Sequence, residues 1–250
     1  MMGDVVVIIL AAGKGTRMKS DKAKVLHELA GMCMIRYVVE TALAVADEVV
    51  VVIGHQAQAV RKALSDHPSL QFALQKEQLG TGHAVMTAMP LVAKGARDAV
   101  ILCGDTPLIK AQTIYGLVRR HRTQGADLTL ATTKLEQPFG YGRIMTDDQG
   151  RVLAIVEESD ASALEKRITT VNTGTYCVKM EFLKESLPDL SNDNAQGEFY
   201  LTDVVEYAHR KGMAAATLEI QDSFEVLGIN TTEELLHAEG LITEINRRKA

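Results

Sequence analysis

Residues 5–18 read Val-Val-Val-Ile-Ile-Leu-Ala-Ala-Gly-Lys-Gly-Thr-Arg-Met. The unbroken aliphatic run from Val5 to Leu10 has the pattern of a strand covered on both faces, as in a parallel sheet. It leads directly into a glycine-rich loop, and ligands of open α/β sheets bind at the carboxyl ends of such strands. Glycine lets backbone amides approach phosphate oxygens, and Lys14 and Arg17 add positive charge, so the loop suits a nucleotide. It is neither of two familiar phosphate loops. No Gly-Lys-Ser/Thr follows, and position 18 is methionine where a dinucleotide fingerprint has its third glycine. Taken alone, the loop also fits a tight structural turn.

Outward from this segment, apolar strands alternate with helical patterns, which predicts parallel strands joined by crossover helices. Ile35, Val38, Val39, Ala42 and Leu43 recur at helical spacing, and Val49 to Ile53 reads as the next buried strand. Gln71 to Leu74, Ala99 to Cys103 and Leu128 to Thr132 continue the series, with Ile114, Leu117, Val118 and His121 on one face of an intervening helix. From about Glu136 the pattern changes to short strands punctuated by glycine: Phe139 to Ile144, Val152 to Glu157 and Val171 to Val178. These predict a small inserted sheet beside the main one, spanning 136–178 within a domain of residues 1–230. Leu201, Val204, Val205 and Ala208 mark another helix, and Phe224 to Ile229 reads as a strand. A capping-box pattern at Thr231-Thr232-Glu233-Glu234 opens a terminal helix over 231–250, with Arg247, Arg248 and Lys249 at its end. The fold class is α/β: a three-layer, Rossmann-like sandwich with a mixed, mostly parallel sheet.

The chain has 250 residues, 46% hydrophobic and 24% charged, with a net charge of −5, the composition of a globular protein with no general attraction for nucleic acid. The basic run Arg119 to Arg122 reads as a solvated helix face. No apolar stretch is long enough to span a bilayer, and Cys33, Cys103 and Cys177 fit reduced thiols, so the expectation is a cytoplasmic protein without membrane or nucleic-acid partners. Asp105 follows a strand and is placed to ligate Mg²⁺ beside triphosphate oxygens, although an aspartate before Thr106-Pro107 is equally a turn residue. The amide oxygen of Asn230, at the end of the strand expected at 224–229, is placed to complete that site or to cap a helix.

Nine ordered segments carry a resemblance: LAAGKGTRM from Leu10, KVLH from Lys24, LQKEQLGTGHA from Leu74, GDTPL from Gly104, GYGRI from Gly140, IVEESDA from Ile155, NTG from Asn172, NAQGEFYLTD from Asn194 and GIN from Gly228. Across nearly its whole length the sequence resembles the uridylyltransferase domain of the bacterial bifunctional N-acetylglucosamine-1-phosphate uridylyltransferase/glucosamine-1-phosphate acetyltransferase family. The resemblance implies transfer of a uridylyl group from UTP to N-acetylglucosamine 1-phosphate, with Mg²⁺ as cofactor. It implies nucleotide contacts from Leu10, Ala12, Gly13, Gln75, Gly80 and Thr81, and sugar contacts from Gly140, Glu157 and Asn172. Arg17 and Lys24 match phosphate-binding, catalytic positions, and Asp105 and Asn230 match magnesium ligands. Ala23 stands where proline is common and suggests a looser loop around Lys24; Cys103 replaces a common tyrosine. The family's acetyltransferase β-helix has no counterpart here, because no hexapeptide repeat occurs, and this predicts no acetyl transfer and a monomer or weak dimer. Two alternatives stand beside this reading. One is a nucleotidyltransferase of the same fold acting on another acceptor, such as a different hexose phosphate, a polyol phosphate or molybdopterin; the other is an inactive regulatory module that binds sugar nucleotides.

Overall fold

The computed structural model describes residues 1–249, with side chains through Thr243. Val5 to Ile9 are at most 2% exposed, as expected of a strand covered on both faces. This strand, β1 (Val5–Ala11), is followed by a small hairpin of β2 (Glu28–Leu29) and β3 (Met32–Cys33) and by helix α1 (Met34–Val45). Next come β4 (Glu48–Ile53), α2 (Ala57–Ala63), β5 (Gln71–Leu74), α3 (Thr81–Ala88), β6 (Asp98–Cys103), α4 (Ala111–Gln124) and β7 (Leu128–Lys134). The second half holds β8 (Arg143–Thr146), β9 (Val152–Val156), β10 (Thr170–Lys179), α5 (Met180–Ser186), α6 (Asp203–Arg210), β11 (Ala215–Glu219), α7 (Ser223–Val226) and α8 (Thr232–Lys249).

The main sheet has the order β11-β7-β10-β6-β1-β4-β5, with β10 antiparallel to both neighbours and the other pairs parallel. Because side chains alternate across a strand, Val5, Val7 and Ile9 face one apolar core with α1, Val60 of α2 and α4. Val6 and Ile8 face the other, with α3, α5 and α6. The result is the expected three-layer α/β sandwich. The chain runs from β1 toward β4 and β5 on one side and returns to β6 on the other, so β1 and β6 flank the topological switch point where a ligand crevice opens.

Three expectations need correction. Val171 to Val178 is not part of a separate sheet, since β10 lies in the main sheet between β6 and β7; only β8 and β9 project from it. The stretch from Phe139 begins as a turn closed by Tyr141 N–H donating to Pro138 O (3.2 Å), and pairing starts at Arg143. Phe224 to Ile229 is not a strand: α7 occupies Ser223–Val226, with Phe224 48% exposed and Glu225 buried. Glu225 accepts from the Lys110 side chain (2.8 Å) and Thr113 Oγ1, and these partners favour a helical turn with Glu225 inward over the extended chain that the apolar residues suggested. The basic run also divides. Arg119 and Arg120 are exposed, whereas His121 is buried and Arg122 pairs with Asp98 (2.8 Å) and Asp4 (2.8 Å). The capping box is present: Thr231 Oγ1 accepts from Glu234 N–H (3.1 Å), and Glu234 accepts from Thr231 N–H (3.1 Å). Beyond it, α8 packs Ala238 and Ile242 onto Leu29 and Met34. The side chains of Arg247, Arg248 and Lys249 lie outside the described residues.

Candidate active site

A cleft of about 480 Å³ opens over the carboxyl ends of β1, β5 and β6, lined by the loop from Leu10 to Thr16, by Lys24, Gln75 and Gly80, and by Thr81 and Asp105. Small residues shape its floor. A side chain at Gly104 would come within 2.9–3.1 Å of Ile35, Ala11 and the Leu10 carbonyl, and one at Gly54 would meet Ala12 at 2.9 Å. Gly15 has φ +66, and a Cβ there would strike Lys24 Cβ at 2.4 Å, so glycine lets the loop curl against the base of the Lys24 side chain.

At the β6 end, Lys24 Nζ donates to Asp105 Oδ2 and to Asn230 Oδ1 (2.9 Å), while Arg17 donates to the same Asn230 oxygen (2.8 Å). Lys24 and Asp105 are each 16% exposed in their side chains. The ammonium thus sits where a small cation bridging Asp105 and Asn230 would sit, and two oxygens converging on one positive centre fit a divalent metal. Among the described residues no group of three His, Cys, Asp or Glu could hold a metal. A two-ligand site fits Mg²⁺, which takes its remaining ligands from water and substrate phosphates.

Hydrogen bonds brace the lysine loop. Ala23 has φ −54, close to the angle proline would impose, and its N–H donates to Gln56 Oε1 (3.0 Å). Gln56 Nε2 in turn donates to Asp21 O (2.6 Å), so one amide clamps both sides of the turn before Lys24.

At the other end of the cleft, Gln75 is buried, and its Nε2 lies 3.0 Å from Gly80 O and 3.0 Å from His83 Nδ1. With both amide hydrogens directed inward, Oε1 is left as an acceptor. Gly80 holds φ +109 and has the Phe199 backbone within 2.8 Å of any added Cβ, so a side chain there would strain the loop and collide with its neighbour. Thr81 Oγ1 accepts from Leu201 N–H (2.9 Å), which ties the start of α3 to the segment leading into α6.

The three expected sugar residues fall on neighbouring elements. Glu157 follows β9, and its carboxylate accepts from Thr202 Oγ1 (3.1 Å). Burial raises its pKa, with Asp203 and Asp160 adding to that shift and the Thr202 hydrogen bond opposing it. Asn172 is in β10 with both ends of its amide engaged, Nδ2 donating to Tyr176 Oη (2.7 Å) and Oδ1 accepting from Gly174 N–H (3.1 Å). Gly140 has φ +83 and lies beside Arg17, its added Cβ 3.5 Å from the guanidinium. The next glycine, Gly142, abuts Glu157: a Cβ there would lie 3.3 Å from its carboxylate, and Gly142 O accepts from Asn172 N–H (2.9 Å). Gly142 and Thr202 are contacts the sequence reading did not single out. The first was visible in the Gly-Tyr-Gly motif, whereas the second depends on α6 packing against β9. The loop is braced by Arg143, 2% exposed, which donates to Glu158 (2.7 Å) and to Tyr141 O, while Glu158 accepts from Gly140 N–H (3.2 Å). Cys103 and Tyr141 are both pushed up to about 12 by burial, so neither supplies a thiolate or phenolate near neutral pH.

Asn230 and Gly228 were expected at the end of a strand and lie instead in the irregular segment between α7 and α8. Glycine at 228 leaves room for the Asp105 carboxylate, which would lie a tight 3.2–3.3 Å from a Cβ there. Ile229 N–H donates to Asp105 O (2.9 Å), tying the segment to the end of β6.

Comparison with known proteins places this arrangement. Residues 7–170 match the family model of the MobA-like NTP transferase domain. A bifunctional protein GlmU of Pelobacter propionicus is 48% identical over 98% of this chain and 54% of its own length. One of Geobacter metallireducens is 48% identical over 95% of this chain and 50% of its own length, and one of Desulfotalea psychrophila 47% over 93% and 69%. The chain therefore spans about half the length of the first two relatives. No helix among the described residues is long and apolar enough to cross a membrane. The glycine loop at the switch point, the paired cations and the match over most of the strands agree, and the chain belongs to the MobA-like NTP transferase domain family as a nucleotidyltransferase.

Proposed function

We propose that the chain transfers a uridylyl group from UTP to N-acetylglucosamine 1-phosphate, releasing pyrophosphate. The observation that carries the reading is the convergence of Arg17, Lys24, Asp105 and Asn230 on one point at the switch between β1 and β6, next to the glycine loop. The backbone of Leu10, Ala12 and Gly13 lies along the nucleotide side of the cleft. Gln75 Oε1, an acceptor with no competing donor role, suits the N3–H of uracil and opposes cytosine, whose N3 is itself an acceptor. Gly80 and Thr81 close that pocket. On the opposite side Glu157, held by Thr202 beside Gly142, suits sugar hydroxyls, with Gly140 and Asn172 shaping the wall.

Asp105 and Asn230 would hold Mg²⁺, which when bound supplies charge neutralisation on the triphosphate. Lys24 and Arg17 release Asn230 to contact phosphate oxygens. An oxygen of the sugar phosphate, already ionised near neutral pH, attacks the α-phosphorus; the P–O bond to pyrophosphate breaks with its electron pair on the leaving group. No protein base is needed, and the protein contributes alignment and charge.

A pyrophosphate-release panel of four nucleoside triphosphates against several sugar phosphates, with and without Mg²⁺, tests this reading. Turnover only with UTP and N-acetylglucosamine 1-phosphate is expected. Preference for another base or acceptor replaces the substrate assignment, and binding without turnover points to the regulatory alternative.

A further inference from the structure

We propose that Glu234 is a positioning residue for the metal ligand Asn230, and this rests on the reading of Asn230 given above. Asn230 belongs to no helix or strand, so the backbone ladder that holds Asp105 at the end of β6 has no equivalent there. Its direction comes from individual hydrogen bonds. Asn230 Nδ2 donates to Gly228 O (2.9 Å), which turns Oδ1 toward Lys24 and Arg17. Asn230 N–H donates to Glu234 Oε2 at 2.5 Å, and the same oxygen accepts from Thr231 N–H at 3.1 Å.

In a capping box the glutamate serves the N-cap residue, here Thr231. Glu234 reaches one residue further back, and its shorter bond goes to Asn230. An ionised acceptor makes such bonds roughly twice as strong as neutral ones. One carboxylate on the first turn of α8 therefore fixes the backbone from which the Asn230 amide projects. The Ile229 N–H bond to Asp105 O fixes the other side of the same segment. Partners of metal ligands that set ligand orientation typically alter metal affinity about 10–100-fold when removed.

The test separates positioning from helix capping. Mn²⁺ binding to the nucleotide-free chain is measured by electron paramagnetic resonance, and stability by thermal unfolding, for Glu234→Ala, Glu234→Gln, Thr231→Ala and Asn230→Ala. Glu234→Ala is expected to weaken Mn²⁺ binding about tenfold. Glu234→Gln, whose amide oxygen still accepts both N–H groups, restores most of it. Thr231→Ala lowers the melting temperature through the lost cap but leaves Mn²⁺ affinity unchanged. In an Asn230→Ala background, Glu234→Ala has no further effect on the metal. If Asn230→Ala weakens Mn²⁺ binding while Glu234→Ala changes only the melting temperature, Glu234 is a cap and the proposal fails alone. If Asn230→Ala leaves Mn²⁺ binding untouched, the ligand assignment fails and the proposal falls with it.

Discussion

Replacing Lys24 with methionine should slow turnover and, in the same protein, tighten binding of a divalent cation when no nucleotide is present. The two effects have opposite signs because the ammonium has two occupations. With substrate it is read as a phosphate ligand; without it, it lies between Asp105 and Asn230, so an incoming cation must displace it. The lysine and aspartate side chains are each only 16% exposed. At an effective dielectric near 20, opposite unit charges about 4 Å apart attract by roughly 4 kcal/mol, and desolvation offsets much of this. A residual competition of about 1.4 kcal/mol corresponds to a tenfold change in the dissociation constant. Methionine keeps most of the side-chain volume and removes the charge, so nucleotide-free Mn²⁺ affinity should rise about tenfold. Loss of a charge-assisted phosphate contact of roughly 1.5–3 kcal/mol should cut kcat/KM by about 10–100-fold. Paramagnetic resonance titration gives the first quantity and pyrophosphate release the second. Mn²⁺ affinity in Lys24→Met that stays at or below that of the unmodified chain would show that the ammonium does not compete for the cation position.

Asp105→Asn should abolish most turnover and most Mn²⁺ binding while leaving the melting temperature nearly unchanged, since the carboxylate lies at a strand end outside the packed core; near-normal turnover at saturating Mg²⁺ would remove Asp105 from the metal site. Gln75→Glu places a second acceptor where an inward donor now meets Gly80 O, so UTP turnover should fall at least tenfold by loss of a buried hydrogen bond, and unchanged UTP-to-CTP selectivity would argue against a base pocket there. Gln56→Ala should raise the KM for UTP by loosening the turn before Lys24, and Ala23→Pro, compatible with φ −54 but lacking the N–H that donates to Gln56, should shrink the effect of a further Gln56→Ala change to the loss of the bond to Asp21 O; an undiminished KM effect of Gln56→Ala in the Ala23→Pro background would refute this. The Asp203 carboxyl is pushed up to about 6 by burial, with Glu206 and Asp160 adding to it. Protonation is therefore favoured in the folded state, and stability from this group is gained as pH falls through about 6 toward the unfolded value near 4, by at most about 3 kcal/mol. Asp203→Asn should accordingly raise the melting temperature near pH 7.5 more than near pH 4.5, and equal shifts at both pH values would contradict the assignment.

The strands of the parallel half were legible because β-branched runs such as Val5 to Leu10 and Val49 to Ile53 have few other folded uses, and the glycine loop after the first marked the crevice edge. The terminal helix start was legible for a similar reason, since Thr231 and Glu234 satisfy each other within four residues. Local pattern failed where distant partners decide conformation. Phe224 to Ile229 has the apolar residues of a strand, yet Lys110 and Thr113, more than a hundred residues earlier, bury Glu225 and leave Phe224 outside. Val171 to Val178 was readable as a strand, but its antiparallel place between β6 and β7 is a property of pairing, which residue types alone do not encode. Around Ala23 the residue types suggested a looser loop, and they could not reveal that Gln56, on another loop, braces the turn with two hydrogen bonds. Sequence by itself thus determined which positions offer charge, backbone freedom and groups able to bind phosphate, because those are properties of single side chains and short motifs. Only the tertiary structure decided that Arg17, Lys24, Asp105 and Asn230 meet at one point, because hydrogen bonds spanning 81 to 213 residues form only once the sheet has brought those loops to a common edge.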